Sequence, residues 1–118
     1  MCSLPRSRGQ VLAGPHLRAI LEHCRAQLGI RQRVSSVPIN RFQVTDERGR
    51  PGAGLIGVVF DARNATIYHT RALTPEDVVH ELLHVAHPTW SEAAVVHATA
   101  LRWRGLARSL VRRDPRAA

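Results

Sequence analysis

Between Pro15 and Leu28 the apolar positions Leu17, Ile20, Leu21, Cys24 and Leu28 recur at three- and four-residue intervals, the period of one helix face. Pro15 suits a first helical turn, and Gly29 suits a C-terminal cap, so the spacing predicts a helix over 15–28. Residues 37–45 (VPINRFQVT) change towards a two-residue alternation with one break. Val37, Ile39, Phe42 and Val44 are the apolar members, and a strand is predicted there. The polar, glycine-rich run DERGRPGAG (46–54) reads as a turn. Two β-rich runs follow, LIGVVFD (55–61) and ATIYHT (65–70), and Ala62–Asn64 between them reads as a hairpin connection.

The pattern then becomes helical again. Thr74-Pro75-Glu76-Asp77 supplies an N-cap hydroxyl, a proline at the first helical position and two acids in the first turn. Val79, Leu82, Leu83 and Ala86 form a core-facing stripe, and Pro88 disfavours helical geometry at His87. This predicts a helix from Pro75 to about Ala86. After the turn His87-Pro88-Thr89-Trp90, Ser91 is a good N-cap for a final helix over 92–112. Its apolar row is Val96, Thr99, Trp103, Leu106 and Leu110, with Glu92 at the head of the row. The expected fold is a single α+β domain: an N-terminal helix, a short three-stranded sheet with a hairpin, a central helix, a tight turn and a C-terminal helix. Residues 1–14 read as a flexible arm, 15–113 as the domain and 114–118 as a tail. No internal repeat is evident.

Charge changes the picture only in part. The net charge is +8, and all 17 basic residues are arginine. Residues 1–50 hold nine arginines against three acids and residues 91–118 six against two, whereas 51–90 hold two against four. The positive charge therefore lies on the flanks, where it supports weak, salt-dependent nucleic-acid binding or simply a solvated surface. The final helix, with Arg102, Arg104, Arg108, Arg112 and Arg113, is the main feature behind that alternative. No aromatic-rich nucleic-acid motif accompanies it. No apolar run reaches the ~18 residues of a membrane span. The N-terminal arginines are not followed by an apolar stretch of the signal-peptide kind. Cys2 and Cys24 form no CxxC pair and read as free thiols, and the cytoplasm is the expected compartment.

Residues 80–84 read His-Glu-Leu-Leu-His. Two histidines at i and i+4 project from one helical face, where their imidazoles can share one metal ion. The glutamate beside the first can then reach a water on that metal and act as a general base. This arrangement needs a helix, and the motif lies inside a capped one. The histidines stand on a different row from the apolar stripe, so they are not claimed by the core. The alternative is an ordinary polar helix face.

A catalytic zinc takes three protein ligands and leaves one position open. His87 continues the row of His80 and His84, but about 10.5 Å of rise separates His80 from His87 in a continuous helix. It serves only if the helix breaks before it. His97 is turned about 140° from Glu92 around an ideal helix. Glu92 heads the apolar row just after the turn and should point inward, where a metal would resolve an otherwise awkward buried carboxylate. Glu92 is therefore the expected third ligand, with His87 as the alternative.

The stretch HELLHVAHPTWSEAAV (80–95), preceded by two β-rich runs and a Thr-Pro-Glu-Asp helix start, resembles small zinc metallopeptidases of the gluzincin type found in bacteria and phages. The resemblance covers roughly residues 55–100 and is carried by His80, Glu81, His84, Pro88, Ser91 and Glu92. It implies a minimal zincin-like domain holding one zinc per chain at His80, His84 and Glu92, with Glu81 catalytic. It also implies an endopeptidase acting on a protein or peptide that pairs with the hairpin's edge strand. The metzincin continuation is absent, and only seven residues separate His84 from Glu92, fewer than in large gluzincins. Such enzymes also stabilise a tetrahedral oxyanion, often with Tyr, His or Arg. Tyr68, His69 and Arg71 lie just before the metal helix, and His69 is the first choice with Tyr68 beside it. Trp90 and Trp103 read as core or staple residues. The alternative to an enzyme is a non-catalytic zinc-binding or arginine-rich nucleic-acid-binding module.

Overall fold

The computed structural model describes residues 11–113, with side chains described through residue 106. Its elements in chain order are α1 (Gly14–Gln27), β1 (Arg33–Pro38), a 3₁₀ turn (Arg41–Gln43), β2 (Ile56–Phe60), β3 (Asn64–His69), α2 (Pro75–Ala86) and α3 (Glu92–Arg113). Three helices and one three-stranded mixed sheet make a small α+β domain. The sheet order is β1-β3-β2, with β1 parallel and β2 antiparallel to β3.

Gly29 closes α1 at φ +68°, a left-handed conformation that a side chain would oppose. Leu17 and Leu28 pack against the core, and Ile20, Leu21 and Cys24 are buried in it. Burial pushes the Cys24 thiol up to about 12, so it stays protonated and unreactive. The predicted arm ends earlier than expected, because the Leu12 amide donates to the Leu73 carbonyl (2.7 Å) and Leu12 packs on the core. The remainder of the arm, with Cys2, and the tail at 114–118 lie outside the described residues.

The first strand differs from the expected 37–45. It occupies residues 33–38, and the chain then turns through the 3₁₀ segment, where Phe42 is 72% exposed. Only Val34 of β1 enters the core, and its inward neighbours in register are Ser36 and Pro38. A strand with one apolar anchor carries no alternation to read. Pro38 is tolerated because β1 is an edge strand. The hairpin lies where expected. Asp61 caps its turn by accepting from the amides of Arg63 and Asn64, both at 2.8 Å.

Alternation along β3 buries Ala65, Ile67 and His69 on the helix side of the sheet and leaves Thr66 and Tyr68 on the other face. Ala65 and Ile67 share one core with Leu73, Val78, Val79, Leu82, Leu83 and Val95. Helix α2 is central. Eight of its twelve residues are buried, and only Glu76, His80, His84 and Ala86 are half-buried. Glu76, His80 and His84 stand four residues apart, which makes one narrow open row on an otherwise enclosed helix.

Helix α2 is fixed at its start by a capping box. The Thr74 hydroxyl accepts from the Asp77 amide, and the Asp77 carboxylate accepts from the Thr74 amide at 2.8 Å. Asp77 also accepts two bonds from the Arg71 guanidinium, at 2.8 and 3.1 Å. Arg71 is thus committed to holding the β3–α2 loop rather than a substrate. Replacing Asp77 by alanine removes the cap and leaves the Arg71 charge without its partner. A stability loss of about 2–4 kcal/mol is expected, measurable as a lowered midpoint of thermal or urea unfolding.

Candidate metal centre

His80 and His84 reach the open row of α2 because the faces on either side are consumed by packing. Their rings meet edge to face, with centroids 5.1 Å apart. Helix α3 begins directly after the turn, capped by Ser91, whose hydroxyl accepts from the Ala94 amide at 3.1 Å. That start delivers Glu92 opposite the two imidazoles. The carboxylate accepts from both: His80 Nε2 lies 2.8 Å from Oε1 and His84 Nε2 lies 2.9 Å from Oε2.

Among the described residues, His80, His84 and Glu92 form a group that can hold a metal ion, with one donor atom from each lying within 4.8 Å of the others. A tetrahedral ion with bonds of about 2.1 Å sets its donors about 3.4 Å apart. The hydrogen-bonded separations are shorter than that and the outer limit is longer, so small side-chain rotations suffice. Two imidazoles and one carboxylate are a donor set that zinc accepts, and three such ligands leave a fourth position open.

The third donor is the expected residue, but not for the expected reason. The Glu92 side chain is 64% exposed rather than turned into the core. The buried face of α3 is Val95, Ala98, Thr99 and Trp103, whereas Val96 is 44% exposed. Thr99, Trp103 and Leu106 of the expected row thus pack inward, Val95 and Ala98 take the place expected of Val96, and Glu92 lies at the rim beside the histidines. His87 is not in the group. The helix stops there (φ −132°, ψ 72°), and its ring stacks on Trp90 at 3.7 Å with 6° between planes. His97 is exposed on α3.

Glu81 is buried beside the cluster, its Oε2 3.9 Å from His80 Nε2. Burial pushes its carboxyl up to about 8, assisted by the negative charges of Glu92 and Asp77. A divalent cation at the neighbouring donors would pull it back down. In metal-stripped protein the unfolded chain releases this proton near pH 4.5 and the folded chain only near pH 8. Stability should therefore fall as pH rises from about 5 to about 8, by at most about 4–5 kcal/mol at ~1.4 kcal/mol per unit. Thermal melts in a chelator across that range should show the decline, and Glu81→Gln should flatten it.

His69 is buried, and its Nδ1 lies 2.8 Å from the Arg71 carbonyl. Its Nε2 is closed off from solvent and has no protein partner. Tyr68, next in the strand, is half-buried on the opposite face of the sheet. The structure thus puts only His69 on the helix side and joins neither residue to the cluster. The periodicity of α1 gave no signal for His23, which is buried with an equally unpartnered Nε2. The Arg71–Asp77 pair was also missed. An arginine six residues before the N3 acid of a capping box was its only trace.

The chain matches no protein-family model, no curated protein and no solved structure in comparisons with each. Among the described residues no helix is long and apolar enough to cross a membrane.

Proposed function

We propose that this chain is a zinc-dependent metallopeptidase of zincin type, with His80, His84 and Glu92 as ligands and Glu81 as general base. The observation that carries the reading is the convergence of three donors from two helices, with a buried glutamate next to the first histidine. A zinc ion held by these three residues would supply Lewis acidity and make a nearby water easier to deprotonate at neutral pH. Glu81, fixed on the rigid central helix, takes the proton of the attacking water and passes it to the leaving amine. Glu92 holds both imidazole Nε2 atoms towards the common point. Its exposed position keeps the cluster at the surface, where an extended chain can approach.

Strand β2 (56–60) lies at an edge of the sheet, and a peptide added there would be held by main-chain hydrogen bonds. The substrate class is accordingly a protein or peptide segment in extended form.

The test is hydrolysis of a diverse peptide mixture followed by mass spectrometry. Cleavage that disappears with a chelator and returns with zinc supports the reading. Absence of any cleavage by zinc-loaded, folded protein across the mixture would count against it.

A further inference from the structure

The sheet has a second face, turned away from the helices and from the metal cluster. In register, that face carries Arg33, Ser35 and Val37 on β1, Asn64, Thr66 and Tyr68 on β3, and Gly57 and Val59 on β2. It is open: Val59 is 67% and Val37 40% exposed, and Tyr68 is half-buried. Tyr68 stands opposite Gly57, which has no side chain to cover that flank of its ring.

Among the described residues that the register places on this face, none is acidic. Arg33 and Arg63 stand at one end of it, where the Arg33 amide donates to the Arg63 carbonyl. The neighbouring Asp61 accepts from the two amides of its own turn, which hold its carboxyl below the usual range, so this end carries two positive charges against one negative. At the other end the chain leaves β1 through Arg41 and the exposed Phe42, with the Arg41 guanidinium 5.9 Å from the Phe42 ring centre. Of the five residues among Phe, Trp and Tyr, the register places Tyr68 on this face, in a chain of net charge +8.

We infer that the outer face of the sheet binds single-stranded nucleic acid, with Arg33 and Arg63 contacting phosphates and Tyr68 stacking on a base. A sheet surface with an aromatic ring that reaches solvent and arginines at one end suits unpaired bases, because every base offers a π-face and the backbone is uniformly anionic. A duplex hides its bases and offers Tyr68 nothing to stack on. Charge complementarity favours this occupant over a second copy of the chain, since two chains that each carry a net charge of +8 repel each other. The inference is independent of the peptidase reading, because the two sites lie on opposite sides of the sheet.

The experiment is fluorescence anisotropy of the full chain with labelled single strands of about 12 nucleotides, DNA and RNA, and with the matching duplex. Binding to the single strand at about 50 mM salt, at least tenfold tighter than to the duplex, is expected. Tyr68→Ala and the double variant Arg33→Glu/Arg63→Glu should each weaken it at least tenfold, on the scale of one stacked base and two phosphate contacts. Tyr68→Phe should retain it, which separates stacking from misfolding. Arg102→Glu/Arg104→Glu on α3 should leave it within about twofold if these side chains are outside the interface. No binding, a preference for duplex, or loss only in the α3 variant would overturn the inference. So would self-association of the free protein that Val59→Asp abolishes, which would make a second copy the occupant.

Discussion

Glu81→Gln is expected to lower peptide hydrolysis by about 10²–10⁴-fold while leaving metal binding intact, the range associated with losing a general acid–base group. Glutamine keeps the volume and the position on α2, so the core around Val78, Val85 and Leu82 is undisturbed. It removes only the capacity to accept a proton. The loss should fall on kcat more than on KM, because the group acts on the proton in transit rather than on substrate binding. The measurement is steady-state kinetics on a peptide that the wild type cleaves, with zinc content determined in the same preparations. Full activity in this variant would remove Glu81 from the mechanism.

His84→Ala should have the second large effect, the loss of both zinc and activity. One imidazole and one carboxylate on a solvent-exposed rim cannot replace a three-donor set. Zinc bound only by the folded chain stabilises it by mass action, about 4 kcal/mol at a thousandfold excess over Kd. The wild type should therefore gain thermal stability on addition of zinc, and His84→Ala should gain none. In the metal-stripped state the two proteins should melt within a few degrees of each other, since His84 is half-buried and its hydrogen bond is to the exposed Glu92. A zinc-dependent gain that survives in His84→Ala would place the metal elsewhere.

The parts of this fold that were legible in the sequence are those specified by local chemistry. The start and end of α2 followed from Thr74, Pro75, Asp77 and Pro88, each of which acts within one turn of its own position. The hairpin followed from two dense β-branched and aromatic runs. The alternation that suggested a strand at 37–45 misled because β1 has a single buried apolar residue, Val34, and because Phe42 faces solvent. Its place in the sheet comes from parallel pairing with β3, a long-range event that leaves no local trace.

The site shows the same division. The spacing of His80, Glu81 and His84 was enough to place them, since a helix fixes what i and i+4 residues can share. Glu92 depended on how a turn folds α3 back over α2, which spacing does not determine. It was reached through an apolar row that holds at Thr99, Trp103 and Leu106 but starts from Val95 rather than Val96. The carboxylate meets the histidines from the exposed rim, not from a buried position. His69, Tyr68 and Arg71 were adjacent in sequence, yet strand alternation separates the first two. An ion pair to Asp77 occupies the third.

The most direct measurement is elemental analysis of zinc in purified protein, for the wild type beside His84→Ala, Glu92→Ala and His87→Ala. The account predicts about one zinc per wild-type chain, none in His84→Ala, weakened retention in Glu92→Ala and an unchanged value in His87→Ala, whose ring belongs to Trp90. A folded wild type that takes up no zinc at neutral pH, or that loses it only when His87 is replaced, would contradict it.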